Sequence, residues 1–116
     1  MAVHTELGKY GEELAVKFLI ENGYQILYRN WRYSRFEIDI IAEKNGLLHI
    51  VEVKLRSGKI GLPEDNVTPK KIKFLLKATN FFLFQHPQYK DFRINILSIS
   101  TVNEEPEFFF IEDVYI

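Results

Sequence analysis

The chain has 116 residues and 13.7 kDa, 47% of them hydrophobic and 27% charged, which suits one globular core and excludes both a second domain and a disordered chain. It contains no cysteine, so disulfides, thiolate metal sites and Cys nucleophiles are excluded, and a reducing compartment fits. No basic leader precedes an apolar run, and no stretch of about 18 apolar residues occurs; the expectation is a cytoplasmic domain away from the membrane. The net charge of -1 hides an uneven spread. Between residues 54 and 77, Lys54, Arg56, Lys59, Lys70, Lys71, Lys73 and Lys77 face only Glu64 and Asp65. That stretch can meet a polyanion, although charge alone favours a solvated Lys-rich helix face.

In chain order, Thr5 to Asn22 predicts a helix, with Leu7, Gly11, Leu14 and Phe18 at helical spacing, Thr5 as its cap and Gly23 as its left-handed stop. Tyr24 to Tyr33 predicts a strand. Phe36 to Glu43 and Leu48 to Arg56 predict two more, joined at Asn45-Gly46, a strong hairpin signal. Gly58, Gly61 and Pro63 mark a loop. Thr68 caps a second helix that opens with Pro69 and runs to about Gln85. Phe92 to Thr101 and Glu107 to Ile111 predict closing strands. The order α-β-β-β-α-β-β implies an α/β fold, a mixed β-sheet flanked by helices.

With Asn45 and Gly46 at the turn, Lys44 pairs with Leu47, Asp39 lies opposite Glu52, and Glu37 opposite Lys54. Alternation then puts Glu37, Asp39, Ile41, Ile50, Glu52 and Lys54 on one face, and Ile38, Ile40, Val51, Val53 and Leu55 on the other. A loop one residue longer or shorter would scramble both faces. Opposed Cβ atoms lie about 5 Å apart, so two acids facing each other are unfavourable without compensation. The remedies are a bound cation, a shared proton, or the nearby Lys54 ammonium. Two carboxylates with water suit a hard cation such as Mg²⁺, and the Val53 carbonyl is a further candidate ligand. A surface ion network is the plainer explanation of a Glu-x-Lys strand; the opposed Asp39 favours a site.

At these residues the chain resembles a known superfamily. Asp39, a spacer of about a dozen residues, then Glu52-Val53-Lys54 looks like the PD-(D/E)XK nuclease signature. Gly8-Lys9-Tyr10-Gly11-Glu12, Gly23-Tyr24, Arg29-Asn30, Glu37-Ile38-Asp39-Ile40-Ile41-Ala42 and Val51-Glu52-Val53-Lys54-Leu55-Arg56 look like the YraN family, and the likeness spans roughly residues 5–101. The resemblance implies a restriction-endonuclease-like core similar to Holliday junction resolvases, a single endonuclease-like domain over residues 1–116. It also implies Asp39 and Glu52 as metal ligands, Lys54 as catalytic lysine, and Glu12 as an additional site acid. Two positions depart from the family pattern. Phe36 stands where a glycine is usual, and Arg93-Ile94-Asn95 stands where Arg-Phe-Asp is frequent.

The other cations are weighed residue by residue. Arg56 continues the acidic face and can contact a phosphate. Arg29, Arg32 and Arg35, with Trp31 and Tyr33, form a basic-aromatic stretch suited to nucleic acid, or an ordinary edge strand. Lys70 and Lys71 can track a phosphate backbone. His49 falls on the apolar face and reads as a core or boundary residue. Phe81-Phe82-Leu83-Phe84 is too apolar for an exposed helix end and reads as core, with a dimer interface as the lesser option. The expectation is a Mg²⁺- or Mn²⁺-dependent phosphodiesterase acting on nucleic acid, DNA before RNA and branched DNA included, with a homodimer left open. The rivals are a non-catalytic nucleic-acid-binding module of the same fold and an interaction protein built on the aromatic patches.

Overall fold

The computed structural model describes residues 6–56, 68–101 and 105–114. Seven elements follow in the expected order: α1 (Glu6–Glu21), β1 (Gln25–Tyr33), β2 (Phe36–Lys44), β3 (Leu47–Arg56), α2 (Pro69–Gln85), β4 (Phe92–Ser100) and β5 (Glu107–Ile111). Thr5 and the loop at Gly58, Gly61 and Pro63 lie outside the described residues.

Local chemistry sets the boundaries. Gly23 closes α1 at φ +89°. Its N–H donates to Ile20 at 3.1 Å and the Tyr24 N–H donates to Leu19 at 2.9 Å, the paired bonds of a Schellman end. Asn45 and Gly46 take φ +54° and +79°, as a type I′ hairpin turn requires. Thr68 caps α2 through its hydroxyl, which accepts from the Lys71 N–H at 3.2 Å, and Pro69 opens the helix.

The five strands form one sheet in the order β1-β2-β3-β4-β5. Only β3 and β4 run parallel, with α2 as their crossover; the other neighbours are antiparallel. α1 lays Ala15 and Leu19 on one face of the sheet, against Ile40, Ala42, Val51, Leu97 and Ile99. α2 lays Leu75, Ala78 and Phe82 on the other, against Ile38, Ile41, Leu48, Ile50 and Ile94. A central sheet covered on both faces explains the long apolar runs in β3 and β4. Phe108 and Phe110 of β5 join the α1 face, where Phe108 stacks on Phe18 at 4.8 Å between ring centres. Of the apolar run closing α2, Phe82 is fully buried but Phe84 is 83% exposed, so its last aromatic is not core. Among the described residues, no helix is long and apolar enough to cross a membrane.

The β2–β3 register matches the hairpin arithmetic from Lys44↔Leu47 to Ile40↔Val51, and the ladder stops there. Beyond it the expected segregation of faces fails in one respect. Ile38 sits with Ile41 on the α2 face, whereas Ile40 lies on the α1 face. Strict alternation would place Ile38 with Ile40. The cause lies in β1: the pairs Arg29↔Ile40 and Trp31↔Ile38 flank Asn30 and Asp39, and Asn30 adopts φ +53°. A left-handed residue inside a strand resets the pleat, and Asn tolerates that conformation better than most side chains.

Candidate functional site

The site lies where the hairpin ladder ends. The Asp39 carboxylate turns toward β3 and accepts the Val53 N–H at 2.9 Å, a side chain standing in for a backbone partner. Glu52 is the neighbouring acid, its side chain only 13% exposed. Its Oε2 lies 3.5 Å from Lys71 Nζ, while its Oε1 is buried with no hydrogen-bond donor among the described residues. Such an orphaned oxygen is costly, because a buried acceptor forfeits its water without replacement.

The electrostatics agree with the geometry. Burial pushes the Asp39 carboxyl up to about 7, and the negative charges of Glu52 and Glu37 push the same way. The Val53 N–H and Lys71 pull against them without cancelling them. Strongly displaced acids in a cleft mark functional sites more often than structural ones.

Glu12 approaches from α1. Gly11 makes that approach close: a Cβ there would meet a Leu55 methyl at 3.3 Å, so Leu55 would have to give by a few tenths of an ångström. Glu12 accepts from Asn30 Nδ2 at 2.8 Å and shares a cleft with Glu37, Asp39 and Val53. On the opposite face, Glu37 and Asp39 also line a pocket of about 260 Å³ with Arg32, Arg35, Phe36, Phe74 and Lys71. The two acids therefore stand at the margin between the faces, reachable from both.

The remaining sequence-derived residues divide. Ile50, Glu52 and Lys54 alternate with Val51, Val53 and Leu55, and the latter three pack on the α1 face, so Lys54 shares Glu52's side. Lys54 makes no ion pair among the described residues, and Lys71 is the ammonium that meets Glu52. The expectation that Glu37 pairs with Lys54 is corrected too. Glu37 stands across from Arg32 in β1 and contacts it at 3.1 Å. Arg29 turns to α1, 2.6 Å from Glu13, away from the α2-side pocket. Arg56 ends β3 on Lys54's side, and Lys70 lies in the first turn of α2. His49 is 6% exposed and bonded to Asn95 at 2.9 Å; burial lowers its pKa, as befits a neutral boundary residue.

Sequence reasoning missed two contributors. Lys71 counted only as a phosphate tracker, and nothing within the hairpin pointed to a helix about twenty residues further on. Asn30 stood out only as half of an Arg-Asn pair; an Asn amid aromatic and aliphatic strand residues was its one physical signal.

Fold and site together define a mixed α/β domain that holds a pair of half-buried carboxylates at the open end of its central hairpin. The chain belongs to the uncharacterised protein family UPF0102, the YraN-like group, whose model matches residues 11–99. A UPF0102 protein of Flavobacterium psychrophilum is 42% identical over 99% of this chain and 98% of its own. One from Flavobacterium johnsoniae is 46% identical over 97% and 93%, and one from Petrotoga mobilis 40% over 84% and 87%. Among solved structures, Pyrococcus furiosus SfsA in complex with Ca²⁺ is 17% identical, covering 91% of this chain and 62% of that one at a TM-score of 0.37, too loose a likeness to carry any conclusion.

Proposed function

We propose that this protein is a metal-dependent phosphodiesterase with a restriction-endonuclease-like core, cutting nucleic acid and DNA in particular, branched DNA included. The observation that carries the reading is the buried Glu52 oxygen without a donor among the described residues, beside an Asp39 whose carboxyl is pushed up to about 7 by burial and by that same neighbour. A cation relieves both conditions at once.

The donor set suits a hard divalent ion such as Mg²⁺ or Mn²⁺: oxygen only, with Asp39 and Glu52 as carboxylates and the Val53 carbonyl next to Glu52 in the chain as a further candidate. Among the described residues no group of three His, Cys, Asp or Glu side chains stands ready as a metal cage, so an ion held here would keep several waters, as Mg²⁺ commonly does. Such an ion supplies an activated water and neutralises charge building on the phosphate. The chain's own groups do the rest. The Val53 N–H fixes the Asp39 carboxylate. Lys54 and Lys71 offer two ammonium groups beside Glu52 for the phosphoryl oxygens, where charge grows in the transition state. Glu12, held by Asn30, orients water at the cleft it shares with Asp39.

The test is cleavage of end-labelled branched and linear DNA in Mg²⁺ or Mn²⁺. Wild type should cut, and Asp39→Asn, Glu52→Gln and Lys54→Ala should each lose at least about a hundredfold while still binding. No cutting by wild type, or cutting unchanged in Asp39→Asn and Lys54→Ala, rejects the reading. The lack of a third metal-ligating side chain among the described residues favours a second reading, a nucleic-acid-binding module of the same fold without turnover. It predicts salt-sensitive binding untouched by Asp39→Asn and no cleavage in any metal.

A further inference from the structure

We propose that the aromatic ladder running from the β1–β2 turn onto α2 is a stacking shelf for an unpaired DNA base, so that the substrate carries a single-stranded nucleotide next to the phosphate at the carboxylate site. This inference rests on the nucleic-acid reading above and narrows its substrate class.

The ladder is continuous. The Trp31 and Phe81 ring centres lie 6.3 Å apart, Phe81 and Tyr33 4.1 Å, Tyr33 and Phe36 6.3 Å, and Phe36 and Phe74 4.9 Å. All five rings are half-buried. Trp31, Tyr33 and Phe36 rest on the α2-face core around the fully buried Phe82, while Phe81, the residue before it, and Phe74 extend the ladder along α2. Lys70 Nζ stands over the Phe74 ring, 5.8 Å from its centre; an arriving base takes that place and leaves the ammonium to a phosphate.

The ladder ends at the acids. Phe36 and Phe74 line the pocket of about 260 Å³ that also contains Asp39 and Lys71. That volume falls below the roughly 300–1,000 Å³ of sites that enclose a drug-sized ligand, so it suits one base rather than a longer segment. A base seated on Phe36 and Phe74 leaves its phosphate within reach of Lys71 and the carboxylates. Arg35, at the tip of the β1–β2 turn beside Phe36, makes no ion pair among the described residues and lines the same pocket. It is therefore available for the flanking phosphate. The first turn of α2 carries Lys70 and Lys71 and no acid of its own; Glu52 answers Lys71, and Lys70 has no acid beside it among the described residues. Aromatic faces with interleaved cations are how single strands are gripped without sequence preference. A blunt duplex, whose bases are already stacked, offers the shelf nothing.

The test uses the whole protein in EDTA, with a 12-nucleotide DNA single strand carrying a central 2-aminopurine and the blunt duplex made from it. The single strand should bind at least tenfold more tightly than the duplex, with 2-aminopurine emission quenched and the emission of Trp31, the only tryptophan of the chain, altered. Phe36→Leu and Phe74→Leu, which keep apolar volume but remove the π-face, should each weaken single-strand binding fivefold or more and lose the quench, at unchanged dependence on salt. Phe36→Tyr should bind as wild type. Arg35→Ala should instead lower the salt slope by about one. Equal binding of both DNA forms, or Leu variants that fold and bind as wild type, overturns the shelf alone. Binding of neither form at 50 mM salt overturns it together with the nucleic-acid reading. Absence of cleavage in Mg²⁺ with stacking intact removes the phosphodiesterase and leaves the shelf standing.

Discussion

The two ends of the β2–β3 hairpin obey opposite rules. At the turn end every level agrees. Asn45 and Gly46 have the left-handed backbone the turn needs, the register runs unbroken from Lys44↔Leu47 to Ile40↔Val51, and Ile41, Leu48 and Ile50 are fully buried. At the open end the same strands stop pairing, an acid takes a backbone N–H, a second acid keeps a buried oxygen with no partner among the described residues, and the alternation of faces slips at Ile38. Agreement across levels makes a fold stable; concentrated violation marks where the chain gives up stability for a task.

That contrast predicts opposite signs for mutations only a few residues apart. The largest effect belongs to the turn end. Ile50→Ala empties a fully buried position and should cost about 2–5 kcal/mol in urea unfolding; a loss under 1 kcal/mol would dissolve the contrast.

At the open end, Asp39→Asn should stabilise. An acid whose folded pKa stands at about 7 rather than its ordinary 3.8 keeps a proton in the native state that the unfolded chain has released. Stability therefore falls as pH rises from about 4 to about 7, and stays lower above that. The substitution removes the fall and keeps an oxygen for the Val53 N–H. In EDTA the gain should reach up to about 4 kcal/mol at pH 8 and be near zero at pH 4, read from melting curves at both pH values. A variant less stable than wild type at pH 8 would show that the carboxylate is comfortable where it lies.

Gly46→Ala comes next. A Cβ at Gly46 meets nothing within 4 Å, yet φ stays at +79°, so strain alone should cost about 1 kcal/mol. Smallest is Lys71→Met. Lys71 draws the Asp39 pKa down, so its loss should raise that value further, by a few tenths to about one. No change in an NMR titration would mean that α2 does not reach the site.

What the sequence made legible follows the same division. Elements with local causes were readable: Gly23 and Thr68 as caps, Asn45-Gly46 as a turn, and through that turn the register that brings Asp39 toward Glu52. Contacts arising from the tertiary fold were not. Alternation is a rule about regular strands, and Asn30 breaks it from the neighbouring strand, so Ile38 changed face without any signal in its own segment. Lys54 seemed the obvious counter-charge because it is two residues from Glu52. The counter-charge in place is Lys71, delivered by the packing of α2. The basic-aromatic stretch of β1 also split, because the reset at Asn30 leaves Arg29 turned to Glu13 on α1 while Tyr33 faces Phe81 on α2.

The most direct measurement is a ¹³C carboxyl NMR titration of Asp39, first in EDTA and then in millimolar Mg²⁺. A titration near 7 without metal, falling to the ordinary carboxylate range once Mg²⁺ is added, is the result that two crowded acids awaiting a cation require. A midpoint near 4 in both conditions would contradict it.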